Sequence, residues 1–502
     1  MRFVMAITTM LALAGIGDSV EPTVRVASGG DLQAALNHAR PGDTILLARD
    51  ATYLGNFVLP APRGASRNDD RVITLRTEGD DWPREGERMT PAAAQHLAKL
   101  QSPNGSPVLR TAAAARGWHI ALLELPATHD AGGTIVTLGD SSRDQQTVES
   151  VPSHITLDRL YIHGDAERGQ RRGVALNSSS TTITGCYISD IKSIGSDSQA
   201  IAGWNGPGDY TIQNNYLEAA GENIMFGGGD PAIPDLVPET IVVRDNLLSK
   251  PLAWRDPGAP KWQIKNLFEL KNARGVIVER NVMERSWAQA QTGWAVLFTV
   301  RNQDSHCPWC QVEDVQFRGN LVRDMGAGIQ ILGIDNNRPS RQTNRIVIRD
   351  NVFDGIDKSA WGGDGYFLLL DHSPRDITID HNTILQRASN GLVKITHGVT
   401  EGFTLTNNIA SHGEYGIIGT NRGVGNDSIA AFLPGATITG NVIAGGKASV
   451  YPPGNLFPSL EELRKQLDGY RLVRSGSWGR VSTDGRAPGA DAEIVKGFGI
   501  RD

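Results

Sequence analysis

VIVERNVM, residues 276–283, lies inside the run WQIKNLFELKNARGVIVERNVMERSWAQAQTGWAVLFTVRNQ of residues 262–303. It alternates apolar and polar residues, bends at Asn281 and resumes with a second apolar pair, which is the pattern of strand, tight turn and strand. The same box recurs as ITLDRLYI ending at Ile162, ITGCYI at Ile188, IQNNYL at Leu217, VVRDNLL at Leu248, VQFRGNLV at Val322, IVIRDNVF at Phe353, ITIDHNTI at Ile384, TLTNNIA at Ala410 and ITGNVI at Ile443. The bend is filled by Arg159, Cys186, Asn215, Asn246, Asn281, Asn320, Asn351, Asn382, Asn408 and Asn441 in turn.

Successive bends lie 26 to 39 residues apart, the period of a solenoid whose loops vary in length. Asparagine suits such a bend because it tolerates left-handed backbone angles and because stacked amides hydrogen-bond along the axis. A second short strand precedes each box, as in NIMFG, LFELK, VLFTV, GIQIL and YFLLL. The chain therefore reads as all-β, a right-handed parallel β-helix.

A repeat array needs no internal boundary, so the 502 residues suit one long domain with capped ends. The expected division is a secretory signal at 1–17, the β-helix at 18–457 and a helix with an extended tail at 458–502. Residues 2–17 carry one Arg, a short apolar run and an Ala12-Leu13-Ala14 site, the layout of an exported protein, secreted or periplasmic. That run is too short to span a bilayer comfortably, and no later segment looks transmembrane.

A net charge of −6 argues against nucleic acid as a general partner. We expect a monomer. Three cysteines make no disulfide framework: Cys186 reads as an inert buried thiol, and Cys307 with Cys310 as a local disulfide in an oxidising compartment.

DLQAALNHA, residues 31–39, reads as an amphipathic helix capped by Asp31 that covers the open end of the solenoid. Residues 79–104 read as a surface insertion holding a helix with Thr90 as N-cap. Near the other end, Ser459 and Glu462 form the signature of a capping box.

Strand alternation tells which residues leave the core. With Phe268 and Leu270 inward, Glu269 and Lys271 point out; with Phe298 and Val300 inward, Thr299 and Arg301 point out. Met225 and Gln330 take outward places one coil below Glu269 and one coil above Thr299, and Glu222 and Asn223 stand at a strand entrance. Coils stack about 4.8 Å apart, so Lys271 and Arg301 are expected side by side. Seven cations, Arg274 among them, face three carboxylates between residues 261 and 301, a local excess of +4 in a net negative chain. That balance points to an acidic ligand. Trp204 and Asn205 lie on a coil below, where an indole suits the face of a sugar ring.

Other readings stay open here. Asp304, Asp335 and Asp371 follow three consecutive strands, and paired carboxylates so placed serve a glycoside hydrolase. Turn chemistry, since aspartate favours such bends, is the preferred reading of all three. His372, His381 and His397 lack metal-ligand spacing and read as turn histidines. A non-catalytic polysaccharide-binding solenoid is the third class.

NLFELKNARGVIVERNVMERS, residues 266–286, followed by AVLFTVRNQ, residues 295–303, resembles the catalytic coils of the β-helical polysaccharide lyases that include chondroitinase B and the alginate lyases. Residues 31–60 are similar to that family's opening coil. The resemblance implies β-elimination on a uronate-containing polysaccharide or oligosaccharide. It makes Lys271 the base, Arg301 the acid or charge stabiliser and Glu269 a ligand of Ca²⁺, a site that Glu222 and Asn223 would complete, since calcium takes several oxygens. Trp204, Asn205, Arg274 and Gln330 are the expected substrate contacts. Three departures stand out: Leu267 replaces a second acid, Lys271 lies closer to Glu269 than the family's base does, and WAQAQTGW lengthens the interval to Arg301.

Overall fold

The computed structural model describes residues 22–62, 71–472 and 477–491. The apolar leader expected at residues 1–17 lies outside them. Three parallel sheets of fourteen, thirteen and twelve strands run the length of the molecule, and in the regular coils each strand pairs with the third strand before and after it. The chain thus winds through one strand of each sheet per turn, as a right-handed parallel β-helix.

Register is kept from coil to coil. Ile241, Val276, Val315, Ile346 and Ile377 pair in one line of the fourteen-strand sheet, and all are buried. Such β-branched side chains suit a half-buried pleated surface, and each contributes about 2 kcal/mol on burial. Phe268, Phe298, Phe317, Phe353 and Phe367 form a line inside the tube, with ring centroids 4.9 to 6.5 Å apart.

The asparagine ladder is continuous. From Asn215 through Asn246, Asn281, Asn320, Asn351, Asn382, Asn408 and Asn441, each Nδ2 donates to the next Oδ1 at 2.9 to 3.0 Å. Asn441 hands on to Asn455 at 2.8 Å, a further rung that the repeat had not indicated. The left-handed angle, however, belongs to the residue before each rung, such as Asp245 at φ 58°, Arg280 at 53° and Asn407 at 58°. Arg159 is of this kind at φ 48°, so its coil offers Leu160, not Arg159, at the ladder position beneath Cys186. Asparagine is required for its amide, while the turn falls to its neighbour.

The helix Leu32–His38 forms, with Asp31 Oδ1 accepting from the Ala34 N–H at 2.9 Å and with Leu32 and Leu36 buried on the first coil. The helix expected within residues 79–104 does not form. Residues 91–96 are turns, and Ala98–Gln101 is a strand of the thirteen-strand sheet. Met89, Ala94 and Leu97 pack on Ala121 and Leu122, and Met89 N–H donates to Gly185 O at 2.7 Å, so tertiary contact overrides a short alanine run. Near the far end, the capping box of Ser459 and Glu462 opens the helix Leu460–Gln466, which lies on the outside of the tube. A separate helix, Asn426–Phe432, brings Ile429 and Phe432 against the core.

Candidate active site

The twelve-strand sheet carries the polar surface that the alternation pointed to. Its strands bend near their start, so Leu267 and Phe268 both enter the core although they are consecutive, and Glu269 then faces out. The leucine found where a second acid was expected is thus a core residue. Along the outward face, Met225, Glu269, Leu297 and Gln330 stand in register on successive coils.

Glu269 is 1% exposed and held from three sides. Asn266 Nδ2 donates to its Oε2 at 2.9 Å, Thr299 Oγ1 donates to its Oε1 at 3.0 Å, and Lys271 Nζ stands 3.6 Å from Oε1. Glu222, fully buried, accepts from Gln199 Nε2 at 2.9 Å and has Lys265 Nζ 3.4 Å from its other oxygen. Lys265 is also paired with Asp197. Gln199 in turn accepts from Arg172 Nε at 3.0 Å, and the Arg172 guanidinium lies over the Trp204 ring, 4.9 Å from its centre. A file of buried and half-buried polar side chains therefore climbs from Trp204 to Thr299.

The charges in this file act on one another. Burial pushes the Glu222 carboxyl up, the charge of Glu269 adds to that, and Lys265 and Lys271 pull the other way without prevailing. Burial draws Lys265 down, but Glu222 and Asp197 outweigh it and leave the ammonium above its ordinary value. Burial draws the Arg172 guanidinium down to about 10.

Two buried oxygens, Glu222 Oε1 and Asn266 Oδ1, accept no hydrogen bond from the described residues. Unsatisfied oxygens beside two carboxylates are the donor set of a hard cation, so these residues fit calcium. Asn223 does not join them. Its amide is turned inward, donating to Leu217 O and Ser249 O and accepting from Lys250 at 3.2 Å. Lys250 is itself fully buried and also donates to Ala219 O, Ala220 O and Gly221 O, and burial brings it down to about 7.

The expected stacking of two cations is replaced by separate pairing. Arg301 Nη1 meets Asp335 Oδ1 at 3.1 Å, while Lys271 faces Glu269; the two residues are joined through the Arg301 N–H and Lys271 O at 3.0 Å. The loop after Arg301 is fixed by the Cys307–Cys310 disulfide and by Asp230, which accepts from the backbone N–H groups of Gln303, Asp304 and His306. Cys186 is buried, its thiol pushed up to about 12 by burial. Below Lys271 runs Gly227–Gly228–Gly229. At Gly227, φ is 92° and an added Cβ would stand 2.8 Å from Lys271 Cβ, so only glycine admits this approach.

Of the remaining expected contacts, Trp204 is half-buried and Gln330 half-buried on the same face. Two are corrected. Asn205 is fully buried, its amide spent on Asp140 O, Gln145 O and the Ile233 N–H. Arg274 belongs to the fourteen-strand sheet, where it pairs with Glu239. The three aspartates of the hydrolase reading show no free pair. Asp335 is committed to Arg301 and to the Asn302 N–H, Asp304 is exposed in the stapled loop, and Asp371 Oδ1 accepts from Thr396, His372 and His397. Burial pushes the Asp371 carboxyl up, but the bonds from Thr396 and His397 and the nearby His372 hold it below the ordinary range, which disfavours a general acid.

Arg172, Gln199, Asp197 and Asn266 were not singled out from the sequence. The usable signal is positional: Arg172, Gln199, Glu222 and Asn266 each stand two residues before an inward residue, namely Val174, Ile201, Ile224 and Phe268.

Solved structures similar to this chain include the PL6 family alginate lyase AlyGC, at 14% identity and a TM-score of 0.49 over 87% of this chain and 53% of that one. A PL6 family polysaccharide lyase from Pseudopedobacter saltans is 12% identical over 89% of this chain and 90% of its own, with a TM-score of 0.45. The tailspike protein of E. coli bacteriophage HK620, in complex with a pentasaccharide, is 12% identical over 85% and 62%, with a TM-score of 0.38. No protein-family model matches the chain, and no curated protein matches it in sequence. Likeness at this level concerns the fold alone.

Proposed function

We infer that the protein is a secreted polysaccharide lyase that cleaves a uronate-containing polymer by β-elimination. The observation that carries this reading is the cluster of buried Glu222 and Glu269 with half-buried Lys265 and Lys271 on the outward face of one sheet, in which Glu222 Oε1, 3.4 Å from Lys265 Nζ, and Asn266 Oδ1 accept no hydrogen bond. A solvated surface pair would bury neither carboxylate. The resemblance of residues 266–303 to lyase coils supports the same assignment. The disulfide agrees with an oxidising compartment.

In this reading Lys271 takes the proton from the carbon beside the uronate carboxylate, and the electron pair left behind expels the glycosidic oxygen across the new double bond. Arg301, released from Asp335 by an anionic chain, balances charge at the departing oxygen. Lys265 keeps positive charge beside Glu222 while Lys271 changes its protonation state. Calcium held by Glu222, Glu269 and Asn266 would supply fixed positive charge at the substrate carboxylate. Trp204, stacked under Arg172, and Gln330 border the polymer's path.

The test is ultraviolet absorbance of unsaturated uronate product on alginate, dermatan or chondroitin, and pectate. A rise is expected with the wild type, and a loss of about 10³-fold in kcat with Lys271→Ala, the middle of the range for removing a general base. Chelation should lower the rate and added calcium restore it. New reducing ends without absorbance would replace elimination by hydrolysis, and binding without either product would make the protein a carbohydrate-binding solenoid.

A further inference from the structure

GYFLLLDHSP, residues 365–374, and GLVKITHGV, residues 391–399, end two neighbouring strands of the twelve-strand sheet. Asp371 pairs in register with Thr396, so His372 and His397 follow one above the other. Both histidines have φ 52°, a left-handed angle that histidine adopts more readily than most residues. This shared turn carries both imidazoles back to the same carboxylate. Their rings stack with centroids 4.6 Å apart and planes 29° apart.

Asp371 Oδ1 receives His372 Nδ1 at 2.9 Å, His397 Nδ1 at 2.8 Å and Thr396 Oγ1 at 2.7 Å. Three donors thus converge on one oxygen that has two lone pairs. The same distances suit a different arrangement. Two ligands bound to one ion at about 2.1 Å stand about 3 Å apart at right angles and about 3.4 Å apart at tetrahedral angles. One ligand atom from each of Asp371, His372 and His397 lies within 4.8 Å of the others. We propose that Asp371, His372 and His397 bind one divalent transition-metal ion.

The donor set decides the class of ion. Two imidazoles and a carboxylate favour zinc, cobalt, nickel or copper, whereas calcium takes oxygen alone. Thr396 orients the carboxylate, as partners around a metal ligand do. The His397 side chain is 68% exposed, so the ion keeps open positions toward solvent. Asp371 is in register with Leu332, and Leu332 with Thr299, the residue that bonds Glu269. The ion therefore sits three coils, about 14 Å, above Glu269 and four coils above Glu222 on the same face. A carboxylate or hydroxyl of a ligand lying along that face completes the open coordination positions. Nothing in this assignment requires elimination chemistry.

The experiment titrates Co²⁺ into tag-free, chelator-stripped full-length protein and follows visible d–d absorbance, with Zn²⁺ competition. One equivalent is expected to bind, Zn²⁺ to displace it, and a large excess of Ca²⁺ to leave the spectrum unchanged. His397→Ala, at an exposed position, and Asp371→Asn, which keeps an acceptor, should each weaken binding at least tenfold while thermal unfolding stays that of the wild type. Binding of the same strength in both variants would place the ion on other histidines and overturn the proposal. So would less than a tenth of an equivalent at millimolar Co²⁺, or displacement by Ca²⁺.

Discussion

In the asparagine ladder, each amide from Asn215 to Asn441 gives and receives hydrogen bonds with its neighbours, and every rung is neutral. In the file on the twelve-strand sheet, from Arg172 to Thr299, buried Gln199, Glu222, Asn266 and Glu269 stand with half-buried Arg172, Lys265 and Lys271, several of them charged, and Glu222 Oε1 and Asn266 Oδ1 are left without a hydrogen bond. Both files stack polar groups from coil to coil in a medium of low polarity. Satisfied stacking fixes the tube, because removing any member strands its neighbours. Unsatisfied, charged stacking costs stability and is retained where a ligand completes it.

Substitution separates the two most sharply in the ladder. Asn281→Leu removes four hydrogen bonds, from the N–H and amide of Asn246, to the Val243 carbonyl and to the Asn320 oxygen, although the Asn246 amide keeps Ile212 O and the Asn320 oxygen keeps the backbone N–H of residue 281. The expected loss is about 4 kcal/mol at about 1 kcal/mol per lost hydrogen bond, seen as a lower denaturant midpoint. Lys250→Met, between the two files, should cost about 3 kcal/mol by taking the lysine donor from the Ala219 and Gly221 carbonyls and from Asn223 Oδ1, while Ala220 O keeps the Lys265 N–H. It should also change the pH profile. Lys250 titrates at about 7 when folded, so above that pH and below the ordinary lysine value the unfolded chain holds a proton that the folded one lacks. Wild-type stability therefore rises with pH across that window, and Lys250→Met should flatten the rise. The smallest effect has the opposite sign. Glu222→Gln keeps a partner for Gln199 and removes a carboxylate that burial and Glu269 both disfavour, so it should stabilise by about 1 kcal/mol while lowering activity. A destabilised Glu222→Gln protein would erase the distinction between the files.

The ladder was legible because its spacing repeats, and its last rung was missed because Asn455 follows Asn441 after only 14 residues, in a loop instead of a coil. Alternation found Glu269, Lys271 and Glu222. It misjudged Asn223 because the strand bend sends two consecutive residues inward, as Leu267 and Phe268 do one coil above. The expected pairing of Lys271 with Arg301 failed for another reason: the register runs two residues off the assumed one, Glu269 pairing with Leu297 and Leu270 with Phe298, so Arg301 lies beyond Lys271, where Asp335, 34 residues on, takes it. The helix within residues 79–104 was read from Thr90 as a cap, Pro91 and the alanine run after them, and the contacts of Met89 and Leu97 decide it otherwise.

Every ladder amide points the same way, donor toward the next coil and acceptor toward the previous one. A segment that begins at one rung and ends just before the next is therefore an interchangeable module. Excising it, or duplicating it, restores the same donor facing the same acceptor. Such a tube changes length by whole turns, and with each turn the outward face gains or loses one row of side chains, so the reach of a surface along the axis is set by gene-level counting of coils instead of by redesign of a core.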